Sequence, residues 1–279
     1  NEFLAQQSDQ AILPQLNGKL AFSTDSYVVS PLFFNGGDIG SIAINGTVND
    51  LAVSGATPLY ISVGFIIEEG FPLADLRTIV QSMAKAAREA KVKIVTGDTK
   101  VVERGKGDGI FINTSGIGVI DAAVNVEAKF KVGDKIIING SIADHGMAIM
   151  SKRQGLDFAT DIASDCAALN GLIQDVLAIN PAVRCMRDPT RGGLSATINE
   201  WANFYTLGIK LNEQNILVHD NVKGICELLG LDPLHVANEG KVLIMCAAED
   251  AEKIVEIMRK HPLGKDASVI AEVESLSEN

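Results

Sequence analysis

Apolar residues along this chain change period several times, and the changes predict its elements. Over 20–29, β-branched and aromatic residues alternate in part with polar ones and Pro31 ends the run, which predicts a strand with Asp25 near its end. After the Gly36-Gly37 turn, Asp38 is placed to cap a helix over 39–54, because Ile39, Ile42, Ala43, Gly46 and Val53 fall close to one face. On that helix Asn49 and Asp50 lie beside Thr47, toward the less apolar side. A strand over 59–67 follows. Leu73, Leu76, Ile79, Val80, Met83, Ala84 and Ala87 then form the clearest helical stripe in the chain. A short strand over 93–96 leads into a predicted turn at Gly97-Asp98-Thr99, a polar loop rich in Gly and Lys, and a strand over 110–119.

From 121 to 134 the composition turns hydrophilic, and the domain boundary is placed there, giving a first domain over 1–124 and a second over 125–279. The second half reads as a strand over 135–139, a loop and helix over 140–154, a helix over 165–177, and a loop over 187–194. Helices over 195–204, 222–229 and 250–261 follow, with strands over 208–211, 242–247 and 267–273. Strands alternating with helices in two blocks predict an α+β or mixed α/β fold of two domains. There is no internal repeat and no low-complexity linker.

Composition narrows the class. At 279 residues the chain exceeds the roughly 100–200 residues of a typical single domain, and 47% apolar with 21% charged residues is the balance of an ordered globular protein. No apolar run approaches the ~18 residues of a membrane span, and residues 1–10 lack a basic-then-apolar signal pattern, so a cytoplasmic protein without a membrane partner is expected. A net charge of -11 repels phosphodiester backbones and argues against nucleic acid as a partner. Cys166, Cys185, Cys226 and Cys246 have no zinc-like spacing and read as buried free thiols.

Several positions can carry chemistry. Asp25, Asp50 and Asp188 stand at the tips of predicted elements beside Gly, Thr or Asn. Magnesium takes hard oxygen ligands and bridges carboxylates to phosphates, so Asp residues that converge in space suit it; singly, each reads equally well as a cap or turn residue. In Arg187-Asp-Pro-Thr-Arg-Gly-Gly-Leu194, Arg191, Gly192 and Gly193 precede a helix whose N-terminal N–H groups suit a phosphate, with an ordinary Gly-rich turn as the alternative; the Walker pattern is absent. Gly97, Asp98, Thr99 and Lys100 place a carboxylate, a hydroxyl and an ammonium after a strand, where α/β proteins display ligand groups. Asp144-His145 resembles a proton-transfer pair, but at a loop-to-helix junction such a pair is more often a helix cap with a solvated neighbour. Glu239, before an apolar strand, suits a partly buried general base or a surface ion pair with Lys241. His219, His235, His261 and Trp201 are read as structural.

Taken in order, Ser23-Thr-Asp-Ser26, Gly37-Asp-Ile-Gly40, Val48-Asn-Asp-Leu-Ala-Val-Ser-Gly-Ala56, Val95-Thr-Gly-Asp-Thr-Lys100, Asp144-His-Gly146, Arg187-Asp-Pro-Thr-Arg-Gly-Gly193, Asn238-Glu-Gly240 and His261-Pro-Leu-Gly-Lys-Asp266 resemble the HypE family of nickel-iron hydrogenase maturation factors. That family sits with aminoimidazole ribonucleotide synthetase, selenophosphate synthetase and thiamine-monophosphate kinase, which bind Mg-ATP in a cleft between two α/β domains. The resemblance implies a homodimer whose first domains join into a barrel-like sheet. It implies magnesium ligands at Asp25, Asp50 and Asp188, and nucleotide-phosphate binding at Gly97, Asp98, Thr99 and Lys100. Glu239 matches the acidic residue near the reacting carboxamide, with Lys100 assisting. The implied activity is ATP-dependent dehydration of an S-carboxamide, delivered by a HypF-type carbamoyltransferase to a C-terminal cysteine, giving a thiocyanate whose nitrile passes with the HypC–HypD complex to iron.

Members of the family end in a tail close to Pro-Arg-Ile-Cys and begin with a Gly-Ser-Gly-Gly-like loop, whereas this sequence opens at Asn1-Glu-Phe-Leu4 and stops at Ser277-Glu-Asn279. As written it is expected to bind ATP weakly and not to complete the dehydration on itself. Two other readings fit parts of the pattern: a relative acting on a free small molecule as a kinase or synthetase, and a non-catalytic docking platform.

Overall fold

The computed structural model describes residues 10–122, 124, 126, 129–155, 161–179 and 181–276. The two chain ends compared above with the family's ends, Asn1 to Leu4 and Ser277 to Asn279, lie outside the described residues, as does residue 125, where the second domain is taken to begin. In chain order the elements are β1 (Lys19–Tyr27), β2 (Phe33–Phe34), β3 (Gly37–Asp38), α1 (Ile39–Val53), β4 (Thr57–Glu68), α2 (Leu73–Glu89), β5 (Lys93–Val102) and β6 (Ile110–Ile120). The second half contributes β7 (Lys135–Ile138), α3 (Asp144–Arg153), α4 (Asn170–Leu177), β8 (Val183–Arg187), α5 (Gly193–Tyr205), β9 (Gly208–Leu211), α6 (Asp220–Leu229), β10 (Leu243–Cys246), α7 (Ala251–Lys260) and β11 (Ser268–Glu274).

The first half forms a four-stranded sheet ordered β1-β6-β4-β5, parallel only between β4 and β5. Alternation decides its two faces. Ile61, Val63, Ile110 and Ile112 point at Ile44, Val48, Ile79 and Met83 of α1 and α2 in one buried cluster. The opposite face carries Leu20, Phe22 and Ile66, which are exposed. Asp38 caps α1 as expected: its carboxylate accepts from Gly40 and Ser41 N–H, and Ser41 Oγ reaches back to the Asp38 backbone. Yet α1 is buried nearly all round rather than on one face, because Ala52 also packs into the core of the second half. Thr47 and Thr114 hydroxyls, 2.5 Å apart, tie α1 to β6 one turn before Asp50.

The second half forms a five-stranded antiparallel sheet ordered β8-β10-β7-β11-β9. Helices cover both of its faces, which explains the unbroken Ile136-Ile137-Ile138 run. Ile137 faces α4 and α7, while Ile136 and Ile138 face Leu194, Ile198 and Trp201 of α5.

Two expectations are corrected. Gly97-Asp98-Thr99 is not a turn: β5 runs straight through it, pairing Gly97 with Val63 and Thr99 with Phe65. A Cβ at Gly97 would lie 2.5 Å from Val63 O, so this glycine serves close strand approach. The helix expected over 165–177 starts only at Asn170. The N–H of Cys166 is taken by Ser164 Oγ and that of Leu169 by Asn49 Oδ1, so side chains displace the helical ladder there. Strand β8, between Pro181 and Pro189, has no counterpart in the sequence reading. Among the described residues no helix is long and apolar enough to cross a membrane.

Candidate active site

A cavity of about 1100 Å3 opens between elements of the two halves. Strand β1 and helix α1 supply Ser23, Asp25 and Asp50; the second half supplies His145, Asp188, Arg191 and Glu239. Asp25, Asp50 and Asp188, far apart in sequence, therefore share one space with Glu239. The reason lies in the elements: Asp25 is near the end of β1, Asp50 lies in the last turn of α1, and Asp188 and Glu239 follow and precede strands of the second sheet.

The carboxylates strain one another. Asp50 accepts from Ser23 Oγ at 2.7 Å, but burial, and after it Asp25, still raises its pKa. Asp188 is pushed up to about 6, by burial first and then by Asp50. Glu239 is pushed up to about 8 by burial, with Asp165, Asp188, Asp25 and Asp50 adding like charge. The countercharge is thin: Arg191, exposed at the rim, reaches Asp25 at 3.4 Å, and Arg187, which opposes the shifts of Asp50 and Asp188, is paired with Glu200 at 3.0 Å. Such a donor set fits a divalent cation. Among the described residues no three His, Cys, Asp or Glu side chains are already grouped to hold an ion alone.

These shifts have a sign. Both folded values lie above the ordinary 3.8 of Asp and 4.5 of Glu, so between about pH 4 and about pH 8 the folded chain holds protons that the unfolded chain has released. Stability contributed by these groups is fully present below the ordinary values and is lost as pH rises through the folded ones. In metal-free buffer the urea midpoint is expected to fall between about pH 5 and about pH 8, and Glu239→Gln should flatten that fall. A midpoint that rises over the same range in the wild-type chain would contradict the charge crowding.

Before α5, Gly192 and Gly193 both adopt left-handed backbone (φ 72° and 65°), and a Cβ at Gly193 would meet Val236 O at 2.5 Å. Among the described residues no side chain caps this helix; the Gly193 N–H turns back to Thr190 O at 3.1 Å, and the next N–H groups of the first turn follow beside Arg191. Asp144 and His145 are not paired with each other, and neither is solvated. Asp144, buried, accepts from Ser141 Oγ at 2.5 Å and meets His219 Nδ1 at 2.8 Å. His145, also buried, contacts Ser164 Oγ at 2.8 Å, stacks edge-on against Phe34, and has its pKa lowered by burial. His219, read as structural, is thus the partner of Asp144.

The suggested Glu239–Lys241 ion pair does not form: Lys241 Nζ lies 2.9 Å from Asp165 and both are buried. Among the described residues no cation pairs with Glu239. Gly97, Asp98, Thr99 and Lys100 do not line the cavity; they are exposed on the edge strand β5, where Lys100 pairs with Asp98 at 2.8 Å. Sequence reasoning missed Ser23 and Asp165 as site neighbours, since no local spacing links them to Asp50 or Glu239.

The AIR synthase related protein family matches this chain twice, its N-terminal domain over residues 7–120 and its C-terminal domain over 131–278. The carbamoyl dehydratase HypE of Azotobacter vinelandii is 55% identical over 274 residues, which is 98% of this chain and 80% of that protein. A solved hydrogenase maturation protein HypE in complex with ATP superposes with a TM-score of 0.96 at 47% identity, covering 100% of this chain and 83% of that one. A HypE solved in complex with HypF gives 0.90 at 51% identity, covering 99% and 90%. With both domains matched and more than half of its residues shared with a HypE, the chain belongs to the carbamoyl dehydratase HypE family of AIR synthase related proteins.

Proposed function

We propose that this chain is the catalytic body of an ATP-dependent carbamoyl dehydratase that turns an S-carboxamide into a thiocyanate for nickel-iron hydrogenase maturation. The observation that carries the reading is Glu239: a carboxylate without a cation partner among the described residues, raised to about 8, in the same cavity as three crowded aspartates. The amide oxygen is a poor leaving group. Transfer of the γ-phosphoryl group of ATP to it, with loss of one N–H proton, gives an imidate phosphate and ADP. Removal of the second N–H proton then forms the C≡N bond as the C–O bond breaks and phosphate departs. Glu239 is assigned that second proton.

Asp25, Asp50 and Asp188 would hold magnesium, which neutralises charge on the transferring phosphoryl group. Arg191 and the helix start that follows Gly192 and Gly193 are assigned to phosphate oxygens, and His145, which lines the cavity with Asp144 behind it, to the nucleotide side. We take residues 1–124 and 125–279 as the two domains. A HypF-type carbamoyltransferase supplies the carbamoyl group, the HypC–HypD complex accepts the nitrile, and four unpaired cysteines suit the reducing cytoplasm.

The exposed apolar sheet face, with Leu20, Phe22 and Ile66, supports a homodimer joined through the first halves, since apolar sheet faces of this kind call for cover. A second copy is also the source that retains Lys100 and its neighbours as site residues, because β5 does not reach the cavity of its own chain. Light scattering is expected to give a dimer at micromolar concentration and a monomer for Phe22→Asp; a monomeric wild-type chain would remove both assignments. The activity itself is tested by mass spectrometry. In a chain carrying the family's cysteine-bearing tail, the carbamoylated tail should lose one water per ATP cleaved, and a tail that stays carbamoylated while ATP is spent would refute the reading.

A further inference from the structure

Among the described residues the Glu239 carboxylate has no hydrogen-bond or ion-pair partner, yet its backbone is held at both ends. Its N–H donates to Asp165 Oδ1 at 3.1 Å, and its C=O accepts from Asn49 Nδ2 at 3.1 Å. The next residue adds to the hold: Gly240 is packed so tightly that a Cβ would fall 1.8 Å from Asp165 O, and its carbonyl accepts from Asn139 Nδ2 at 3.1 Å. Asn49 is almost wholly buried, and every group of its amide is used. Besides Glu239 O, Nδ2 donates to Ala167 O at 3.0 Å, and Oδ1 accepts from Leu169 N–H at 2.8 Å.

The position of Asn49 gives these bonds their consequence. It adjoins Asp50 on α1, a helix itself fixed to its sheet through Thr47 and Thr114. One rigid turn of helix therefore carries both the carboxylate assigned to the phosphoryl end and the amide that holds the backbone of the assigned base. Three hydrogen bonds from one buried amide cross from the first half of the chain to the second. An anchor needed only for packing requires none of them to end on residue 239.

We propose that Asn49 is a positioning residue that sets the separation between Asp50 and Glu239, so that phosphoryl transfer and proton removal act on one substrate in one geometry. This rests on the dehydratase reading above and specifies what couples its two steps. When the base is misplaced, an imidate phosphate that keeps its N–H proton is hydrolysed back to the amide, and ATP is spent without nitrile. A displacement of about 1 Å at a reacting group can cost about 10²-fold in rate.

The test uses the chain with its cysteine-bearing tail, carbamoylated, in single turnover, following ADP and the water-loss product together. Asn49→Asp has nearly the same shape and keeps an acceptor for Leu169 N–H, but it turns an oxygen toward two carbonyls. Asn49→Ser, uncharged and shorter, loosens the same contacts without that repulsion. Both are expected to keep KM for ATP within about threefold while thiocyanate formed per ADP falls at least about tenfold, the coupling being lost. Parallel loss of both products at an unchanged ratio overturns the proposal. So does failure of both variants to fold, which assigns Asn49 to stability alone. Collapse of the underlying reading has a separate signature, a wild-type chain that forms ADP and removes no water, and it takes this proposal with it.

Discussion

Glu239→Gln, in a chain bearing the full tail, is expected to bind ATP as the wild type does and to form thiocyanate about 10²–10⁴ times more slowly, the usual cost of losing a general base. The amide keeps the shape of the carboxylate, and the backbone stays pinned by Asp165 and Asn49, so geometry is preserved while proton acceptance is removed. What equips Glu239 for the role is its surroundings. Burial and four nearby aspartates raise its carboxyl to about 8, so its conjugate base is far stronger than an ordinary carboxylate. Thiocyanate formation by the wild type should rise with pH through a limb at or below about 8, because cations in the cavity favour the ionised form, and the Gln variant should lack that limb. Mass spectrometry of the tail peptide and equilibrium binding of ATP measure the two properties separately. A normal rate of thiocyanate formation in the variant would remove Glu239 from the mechanism.

Elements whose burial is one-sided were legible in the sequence. The stripe of α2 repeats at helical spacing, and β9 and α7 fall within a residue of their expected bounds, because each shows one face to a core and one to water. Legibility fails where tertiary contacts replace local ones. Glycine at 97 signals a turn by propensity, but it is demanded here by a neighbouring carbonyl on β4. Residues 165–169 have helix-compatible composition, but Asn49 and Ser164 side chains take their N–H groups. Strand β8 has only five residues, two of them arginine, one of which is committed to a buried pair with Asp134.

The site divides in the same way. Asp25, Asp50, Asp188 and Glu239 were found through an ordered set of short motifs, each of them weak alone. Their gathering in one cavity depends on how two sheets and α1 pack, which no spacing encodes. Lys241 shows the limit of proximity along the chain: Glu239 is two residues away, yet the ammonium turns to Asp165, a residue from a different segment that also holds the Glu239 N–H. That choice leaves the assigned base unneutralised, and only the folded arrangement reveals it.

Asp50→Asn is expected to separate turnover from stability in opposite directions. The amide retains an oxygen for Ser23 Oγ, so the end of α1 should keep its place. It removes the carboxylate assigned to magnesium, and charge stabilisation by a bound metal in such transfers is worth several kcal/mol, or about 10²–10³-fold and more at 1.36 kcal/mol per tenfold. Magnesium-dependent ATP cleavage should therefore fall at least about 10²-fold. The same substitution removes the charge that, after burial, most raises Asp188, so Asp188 should ionise more easily and the metal-free chain should become more resistant to urea near pH 8. Adding magnesium should stabilise the wild type at that pH and have a smaller effect on the variant, which lacks one assigned ligand and part of the repulsion the ion relieves. A variant that is less stable and less active together would show only a damaged fold. One that cleaves ATP at the normal rate with magnesium present would sink the assignment of Asp50, and with it the account of why three aspartates share this cavity.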